Sequence, residues 1–431
     1  MAWPVRYQMI GMLFAGSVIN YVDRVNISIA APVIMKELGW SKDKFGWVFS
    51  AFLIGYALLQ IPGGVIADRW SGRKVLTLAF CGFSLFTLLT PWGANAFLLL
   101  LAMRFLVGVF ESMTFPATAS INSHWIPRVE FGRAHTFSIS GITAGQMVAY
   151  PLTTWIILHS NWQTVFYINA AFGLLWAAVW WWYATDTPAL HPRITPAERT
   201  YIESQLPPPP ANPLPLSVVF TNIPLLTVAF AYMCYAYVGW MFLFWIPTYL
   251  VEARGYSLGI MGTLGIPLHA SAFIGLVGGG IFGDYLLRRG WSSQFVRARL
   301  GGIGLALAFP FLLASALVPS ATLCVICLII FYGLFTSALS GFSTVAIEFN
   351  QHLAGAIFGL INTLGTFAGF LGPLTAGYML AGNEGNWLVP IFVATAVGVV
   401  SATVLLTVPI RPIQIKDVTP TDAVPVGGVA H

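Results

Sequence analysis

The sequence has very few charged residues. Of its 431 residues only 8% are Asp, Glu, Lys or Arg, whereas 57% are hydrophobic. Ordinary soluble domains carry roughly a quarter charged residues. A water-soluble chain with a very large core would still need a charged surface, and this sequence does not supply one. The scarcity of charge therefore excludes a soluble protein of this length.

Other absences narrow the functional classes. The four cysteines all lie in apolar stretches, and Cys324 and Cys327 form a lone C-x-x-C with no second pair and no histidine cluster nearby. We therefore expect no metal site and no cofactor. A phosphate-binding loop for ATP hydrolysis is missing, which argues against a primary pump. The net charge of +5 is scattered over short loops, so no nucleic-acid partner is expected.

Apolar stretches of the length that crosses a bilayer recur along the whole chain. We predict an all-α membrane protein with twelve transmembrane helices. Their predicted ranges are 7–35, 46–68, 74–94, 96–121, 133–158, 163–184, 223–253, 261–287, 297–318, 320–346, 353–382 and 386–409. The first stretch is too long for a cleavable signal peptide and contains charges, so we interpret it as a retained span.

The two groups of six spans repeat each other. Residues 64–69 (GVIADR), 151–153 (PLT) and 161–162 (NW) are echoed in the same order by residues 280–285 (GIFGDY), 373–375 (PLT) and 386–387 (NW). Two six-helix pseudo-repeats in the same orientation place a binding site at their interface near the bilayer midplane. We divide the chain into a first bundle at 1–184, a linker at 185–222, a second bundle at 223–410 and a tail at 411–431 that we expect to be disordered.

The linker contains one helix signal. Thr195, Pro196 and Glu198 form a capping box with proline at the first helical position. This pattern predicts a short surface helix to about Gln205, followed by a proline-stiffened stretch.

Basic residues are distributed unequally over the loops. Alternate loops and the two termini hold fourteen of them: Arg6, Arg69, Arg73, Lys74, Arg128, Arg133, Arg193, Arg199, Arg288, Arg289, Arg297, Arg299, Arg411 and Lys416. The remaining loops hold four: Lys36, Lys42, Lys44 and Arg254. By the positive-inside rule both termini and the linker are cytoplasmic.

The glycine-aspartate-basic loop at residues 64–74 resembles the loop signature of the major facilitator superfamily, which implies that fold. Glycine there permits close helix packing, and the charges would latch helix ends together. The resemblance implies gating roles, without substrate contact, for Gly64, Asp68, Arg69, Arg73, Asp284 and Arg288.

A narrower resemblance is carried by residues 20–26 (NYVDRVN), 104–111 (RFLVGVFE), 115–117 (FPA) and 359–362 (GLIN). These segments resemble the anion:cation symporter family, which includes bacterial galactonate, glucarate and hexuronate transporters. The resemblance implies a proton-coupled importer of organic anions in a bacterial inner membrane. It points to Tyr21, Tyr56, Gln146 and Asn362 as substrate contacts, with plain interhelical hydrogen bonding as the alternative.

Four charged residues lie inside predicted spans: Asp23 and Arg24 midway along the first, and Arg104 and Glu111 within the fourth. Each costs ~2.5–3.5 kcal/mol at a helix centre on insertion scales, so they must pair or face water. The seven-residue spacing in the fourth span is two helical turns, which puts both side chains on one face about 10 Å apart along the axis.

The four charges sum to zero. A substrate carboxylate needs a guanidinium partner, and protonation of an acid would release one. We therefore predict that Arg24 and Arg104 bind the carboxylate and that Asp23 and Glu111 bind the coupling proton. The alternative is a buried ion-pair network that only fixes helix packing.

Several functions remain open at this level. The leading interpretation is a proton symporter for a sugar acid such as an aldonate or aldarate. Alternatives are an anion exchanger or facilitator without proton coupling, or an importer of a small dicarboxylate or aromatic acid. An enzyme would need reactive groups at one membrane face, whereas the clustered ionisable groups lie midway across. The expected partners are the organic anion and the lipid bilayer, and the expected state is a monomer.

Overall fold

The computed structural model describes residues 3–127, 130–205, 220–349 and 354–409, with some side chains near 131–135 and 343–358 left out. The predicted tail at 411–431 and the proline run at 207–210 lie outside the described residues. Throughout the described ranges the regular structure is helical.

The described residues of the first half form seven helices, and those of the linker up to 205 form one. They are α1 (Val5–Leu38), α2 (Lys42–Arg69), α3 (Gly72–Gly93), α4 (Phe97–Glu111), α5 (Thr114–Trp125), α6 (Phe131–His159), α7 (Trp162–Tyr183) and the linker helix α8 (Pro196–Glu203). A 3₁₀ turn at Pro188–Leu190 precedes α8.

The part of the second half that the structure describes also forms seven helices. They are α9 (Ile223–Thr248), extended by a π-helical turn at Tyr249–Ala253, α10 (Leu258–Arg288), α11 (Leu300–Leu317), preceded by a π-helical turn at Phe295–Arg299, α12 (Ala321–Phe349), α13 (Ala354–Gly369), α14 (Leu371–Gly382) and α15 (Leu388–Thr407). The division into bundles at 184 and 223 stays a prediction.

The predicted all-α membrane architecture is confirmed, with two spans built differently from expectation. The fourth span is not continuous, since α4 ends at Glu111 and α5 begins at Thr114; the eleventh is divided into α13 and α14. Eleven segments of the described chain are long and apolar enough to cross a membrane. The twelfth, α6, has 29 residues but is richer in small and hydroxyl-bearing residues.

Side-chain caps begin several of these helices. Asn161 and Asn222 accept hydrogen bonds from backbone N–H groups three residues later, at 2.8 and 2.9 Å. Thr195 accepts one from Glu198 at 3.2 Å and begins α8 where the sequence signal lies. Such caps satisfy donors that the first helical turn leaves free.

The crossing of α2 and α4 positions the charged site. Gly55 and Gly108 face each other's helix so closely that an added Cβ would lie 2.1 Å from the carbonyl oxygen of Phe105 and 2.0 Å from that of Phe52, respectively. No larger residue fits at either position without separating the helices. This close approach brings the side chains of Phe52 and Arg104 together.

Each bundle has two ends. We call the end where α1 finishes and α2 starts the Lys42 end, and the opposite one, with the loops after Arg69 and Arg288, the basic end. The halves meet at the Lys42 end through an ion pair from Lys42 Nζ to Glu252 Oε2 at 2.9 Å and a hydrogen bond from Ser50 Oγ to the Phe370 carbonyl at 2.7 Å. These contacts close that end.

The linker helix binds the first half at the basic end. The Glu198 carboxylate accepts hydrogen bonds from the backbone N–H groups of Val5 and Arg6, both at 3.1 Å, and so caps α1. Arg6 also pairs with Glu130, whose carboxylate accepts a hydrogen bond from the Tyr201 hydroxyl at 3.1 Å. Through these contacts α8 is attached to the first half.

Candidate anion and proton site

The centre of the first half contains a buried ion pair between α1 and α4. Arg24 donates from Nε and Nη2 to Glu111 Oε2, at 2.9 and 2.7 Å. The two side chains are 1% and 0% exposed. Oε1 of Glu111 has no hydrogen-bond partner. The carboxylate therefore holds Arg24 through one oxygen and keeps the other available.

Aromatic rings surround the guanidinium of Arg24. Tyr21 accepts a hydrogen bond from Nη1 at 3.2 Å. The guanidinium carbon lies 4.5 Å from the Tyr21 ring centroid, 4.6 Å from that of Tyr56, and 5.8 Å from that of Trp240 in the second half. These are cation–π distances. Trp240 thus brings the second half to the site.

Asp23 faces away from the ion pair, toward α3. Its Oδ2 accepts a hydrogen bond from the Thr87 hydroxyl at 2.8 Å, and its Oδ1 accepts one from Asn26 Nδ2 at 3.3 Å. The carboxylate is buried and lies within electrostatic range of Glu111 and Arg104. Neutral donors alone hold this acid in place.

Arg104 is a buried cation whose hydrogen-bond donors are all unsatisfied. It is 0% exposed, and Nε, Nη1 and Nη2 all lack a hydrogen-bond partner. Its guanidinium carbon lies 5.1 Å from the Phe52 ring centroid, and that of Arg24 lies 5.3 Å from the same ring. Phe52 is therefore a shared aromatic neighbour of two cations.

The other predicted contacts are distributed around this centre. Gln146 is half-buried on α6, next to Gly145, where α6 packs against Tyr21. Asn362 on α13 accepts a hydrogen bond from the Tyr232 hydroxyl at 3.4 Å. Tyr232 lies within electrostatic range of Tyr21, so this pair extends the site into the second half. Their predicted role as substrate contacts stays a prediction.

The six predicted gating residues all lie at the basic end. Asp68, Arg69, Asp284 and Arg288 are exposed, and the described side chains there form no ion pair with them. Gly64 packs against Pro116 on α5, where a Cβ added to the glycine would lie 3.3 Å from the Cβ of Pro116. Among the described side chains these residues form no latching ion pair, and their gating role stays a prediction.

Arg73 is held instead by a residue that sequence reasoning missed. Asp186, just after α7, accepts hydrogen bonds from the Ser71 hydroxyl at 2.6 Å and from the Arg73 backbone N–H at 2.9 Å. The Arg73 guanidinium lies over the Trp181 ring, 4.4 Å from its centroid. These contacts fix the start of α3 within the first half.

Sequence reasoning also missed the uncharged neighbours of the site. Phe52, Thr87 and Trp240 lie in apolar spans where many residues of the same type occur, so nothing in their local pattern marks them. Only the rotation of each helix shows that they face the charges. Within the described ranges no group of three or more His, Cys, Asp or Glu side chains could hold a metal ion.

Comparison with known proteins assigns the family. The sequence matches the family model described as Major Facilitator Superfamily over residues 13–373. The chain belongs to the Major Facilitator Superfamily. The probable galactarate/D-glucarate transporter GudP of Bacillus subtilis (strain 168) is 31% identical over 429 residues, which cover 96% of this chain and 94% of that protein.

Two further relatives agree with the resemblance to the anion:cation symporter family. The probable sulfoacetate transporter SauU of Cupriavidus necator is 29% identical, with 91% of each chain covered. Sialin of Homo sapiens is 29% identical, with 92% of this chain and 88% of that protein covered. The chain is thus a transporter of the facilitator type and not an enzyme.

Solved structures agree on the facilitator fold. A D-xylose-proton symporter superposes with a TM-score of 0.74 at 14% identity, covering 94% of this chain and 98% of that one. A bacterial homologue of the human lysosomal transporter Spinster, in an inward-facing and unoccupied conformation, gives 0.72 at 21% identity, with 94% and 95% covered. At these identities the likeness shows the fold alone.

Proposed function

We propose that this transporter imports an organic anion, with a hydroxylated sugar acid such as an aldonate or aldarate as the substrate class, by proton symport through alternating access. One observation carries the proposal: the guanidinium of Arg104 is fully buried and none of its nitrogens has a hydrogen-bond partner. A buried charge without a partner is costly. A carboxylate can supply the missing acceptors and is the anion that a guanidinium fork binds best.

The coupling proton would act on the Arg24–Glu111 ion pair. While Glu111 is ionised it occupies Arg24 at 2.7 Å. Protonation would end the charge attraction and free the Arg24 guanidinium for the substrate carboxylate. Asp23 offers a second acid close to Arg104. Proton and anion binding then favour each other, and this reciprocity is what symport requires.

Alternating access needs the two ends to open in turn. In this structure the Lys42 end is closed by contacts between the halves. We assign control of the basic end to the exposed residues there, which would meet when that end closes. These are Gly64, Asp68, Arg69 and Arg73 of the first half and Asp284 and Arg288 of the second. If the basic end is cytoplasmic, as the loop charges predict, the closed Lys42 end is the one that faces outward.

Hydroxyl-bearing side chains support the choice of a sugar acid. Tyr21 and Tyr56 contact Arg24, and Tyr232 and Asn362 extend the site into the second half. Such groups suit the hydroxyls that follow the carboxylate of an aldonate. The most similar relative named above is described as a probable galactarate/D-glucarate transporter.

The proposal is tested by ligand-induced thermal stabilisation of the purified protein. The panel contains aldonates, aldarates, small dicarboxylates, aromatic acids and the neutral sugars that match the aldonates. We expect stabilisation by an acid and none by its neutral counterpart. Arg104→Gln should abolish it, whereas Arg199→Gln, which changes an exposed arginine on α8, should leave it intact. Stabilisation by neutral sugars alone would contradict the proposal.

A further inference from the structure

Charge is distributed unequally between the two halves of the site. The buried Asp, Glu, Lys and Arg side chains of the described chain are Asp23, Arg24, Arg104 and Glu111, all in the first half. In the described part of the second half the buried Ser, Thr and His side chains are uncharged or weakly basic. They are Thr248, His269, Ser315, Thr366 and Ser401. A ligand that spans both halves therefore meets charge at one end only.

Three hydrogen-bonding side chains meet where α6 of the first half packs against α10 of the second, which in turn packs against α12. The ring centroid of His269 lies 4.9 Å from that of Tyr150 and 5.8 Å from that of Tyr332. The three side chains are 1%, 0% and 8% exposed, in that order. They form a compact polar cluster, which we call the Tyr-His-Tyr cluster, within an apolar interface.

All three members of this cluster have an unused polar atom. The hydroxyls of Tyr150 and Tyr332 and Nε2 of His269 have no hydrogen-bond partner. Nδ1 of His269 lies 2.9 Å from the Gly265 carbonyl oxygen, which can only accept, so Nδ1 carries the hydrogen. In the neutral ring Nε2 is then an acceptor. The cluster thus offers one acceptor and two hydroxyls to whatever enters it.

The cluster lies at the same depth in the bundle as the ion pair. Arg24 is 14 residues from the Lys42 end of α1, and His269 is 11 residues from the Lys42 end of α10. With a rise of ~1.5 Å per residue, the two levels differ by about one helical turn. The ion pair in the first half and the cluster in the interface between the halves therefore lie at similar levels.

We propose that Tyr150, His269 and Tyr332 form a subsite for the uncharged, hydroxyl-bearing end of a substrate that carries a single carboxylate. This inference rests on the proposed function, since it presupposes that the first half binds the carboxylate. A substrate hydroxyl donates to His269 Nε2 and accepts from a tyrosine hydroxyl, which satisfies the unused atoms.

The same chemistry disfavours a diacid. A second carboxylate would face the lone pair of Nε2, and the described buried side chains of the second half provide no arginine or lysine to compensate its charge. A buried anion without a cation is strongly unfavourable. The preferred ligand is therefore a polyhydroxy monocarboxylate, such as an aldonate, over the corresponding aldarate.

The test measures binding of three six-carbon probes to the purified full-length protein by isothermal titration calorimetry. Gluconate carries one carboxylate and hydroxyls, glucarate carries two carboxylates, and hexanoate carries no hydroxyls. We expect gluconate to bind at least about tenfold more tightly than either of the others, a difference of 1.4 kcal/mol. Glucarate binding as tightly as gluconate would overturn the assignment of a neutral subsite.

Tyr332→Phe, Tyr150→Phe and His269→Leu then test the residues. The two tyrosine variants remove hydroxyls that have no partner in the protein, so folding should be retained. His269→Leu removes the unpartnered Nε2 and also the hydrogen bond from Nδ1 to the Gly265 carbonyl, so thermal unfolding without ligand is measured for every variant. We expect gluconate affinity to fall about tenfold toward that of hexanoate, with hexanoate unchanged. Tyr237→Phe, which removes a hydroxyl bonded to Thr375, is the matched control and should change neither.

Three outcomes have distinct meanings. Equal losses for gluconate and hexanoate, or no loss for either, would show that the cluster only packs or holds water, and would overturn this inference while the carboxylate site stands. If wild-type protein bound no acid of this set or of the larger panel, the proposed function itself would fail, and the subsite with it. Selective loss of gluconate supports both.

Discussion

Arg24 and Glu111 form an ion pair between α1 and α4, with Nη2 2.7 Å from Oε2 and both side chains at most 1% exposed. Removing one partner of a buried pair typically costs ~3–5 kcal/mol, because the other charge is left unpaired. A ligand carboxylate that replaces Glu111 avoids that cost, provided that Glu111 becomes neutral at the same time. The pair is therefore suited to exchange one negative partner for another.

Glu111→Gln should separate coupling from binding. The glutamine keeps the shape but has no proton to exchange, so accumulation driven by a pH gradient should fall to passive equilibration. Exchange of labelled for unlabelled anion should persist. For one proton and one pH unit the lost driving force is about 1.4 kcal/mol, or about tenfold in accumulation. The gradient-driven accumulation and the exchange are both measured as uptake of labelled anion into liposomes.

The control for this variant is Glu203→Gln, which changes an exposed glutamate paired with Arg199 on α8 and should behave as wild type. Undiminished gradient-driven accumulation by Glu111→Gln would exclude Glu111 as the coupling acid.

Phe52→Leu should weaken anion binding although the residue carries no polar group. Its ring lies 5.1 Å from the guanidinium of Arg104 and 5.3 Å from that of Arg24. Cation–π contacts of this kind contribute ~0.5–2 kcal/mol each, so we expect a loss of about tenfold in affinity, measured by calorimetry.

Phe83→Leu provides the comparison for Phe52, since Phe83 is equally buried and its ring packs against Phe80. Both variants should lose similar thermal stability, but only Phe52→Leu should lose affinity. Equal affinities in the two variants would show that Phe52 only fills space.

The ion pair between Lys42 and Glu252 joins the two halves at one end, and its removal should favour opening there. The side chains are 25% and 33% exposed, and partly exposed pairs contribute up to about 1 kcal/mol. Glu252→Ala should therefore raise the open population at most about fivefold. Distances between spin labels at Ser160 and Ser320, exposed positions at this end, will report it.

The charge-swapped protein, Lys42→Glu with Glu252→Lys, should restore the wild-type distance distribution. If the swap behaves like Glu252→Ala, the pair has no latching role.

Attachment of α8 to the first half should weaken in acid. Burial alone would raise the pKa of Glu130, but hydrogen bonds from Arg6 and Tyr201 outweigh it and hold that pKa below the ordinary value. An acid with a lowered pKa stabilises the attached state above its ordinary pKa of about 4.3, and this contribution is lost as pH falls through the lower value.

The hydrogen-exchange protection of residues 196–205, corrected for the intrinsic rate at each pH, should therefore fall below about pH 4.3 in wild type and already be reduced at neutral pH in Glu130→Gln. Glu203→Gln again serves as control. Wild-type protection of α8 in Glu130→Gln would show that Glu198 alone attaches the helix.

The sequence predicted the spans well because apolar runs and rare charges are strong local signals. It also predicted that Asp23, Arg24, Arg104 and Glu111 belong together, since only shared burial makes their insertion cost acceptable. It could not predict which arginine pairs with Glu111. That depends on how α1 and α4 are rotated against each other, and the result leaves Arg104 without a partner.

Contacts between distant segments were equally inaccessible. Asp186 follows α7 and binds the start of α3, while the predicted latch residue Asp68 is exposed. The Tyr-His-Tyr cluster joins three helices whose sequences give no hint of one another. Periodicity reports on one helix at a time, whereas these contacts depend on how the two halves are packed.

Proton movement during transport tests the central claim most directly. The purified protein is placed in liposomes with a pH electrode in the external medium and with no imposed pH gradient. An inwardly directed gradient of the anion identified by the binding panel is then applied. We expect alkalinisation of the medium in step with anion uptake in wild type, and none in Glu111→Gln. Anion uptake by wild-type protein without any change in external pH would contradict it.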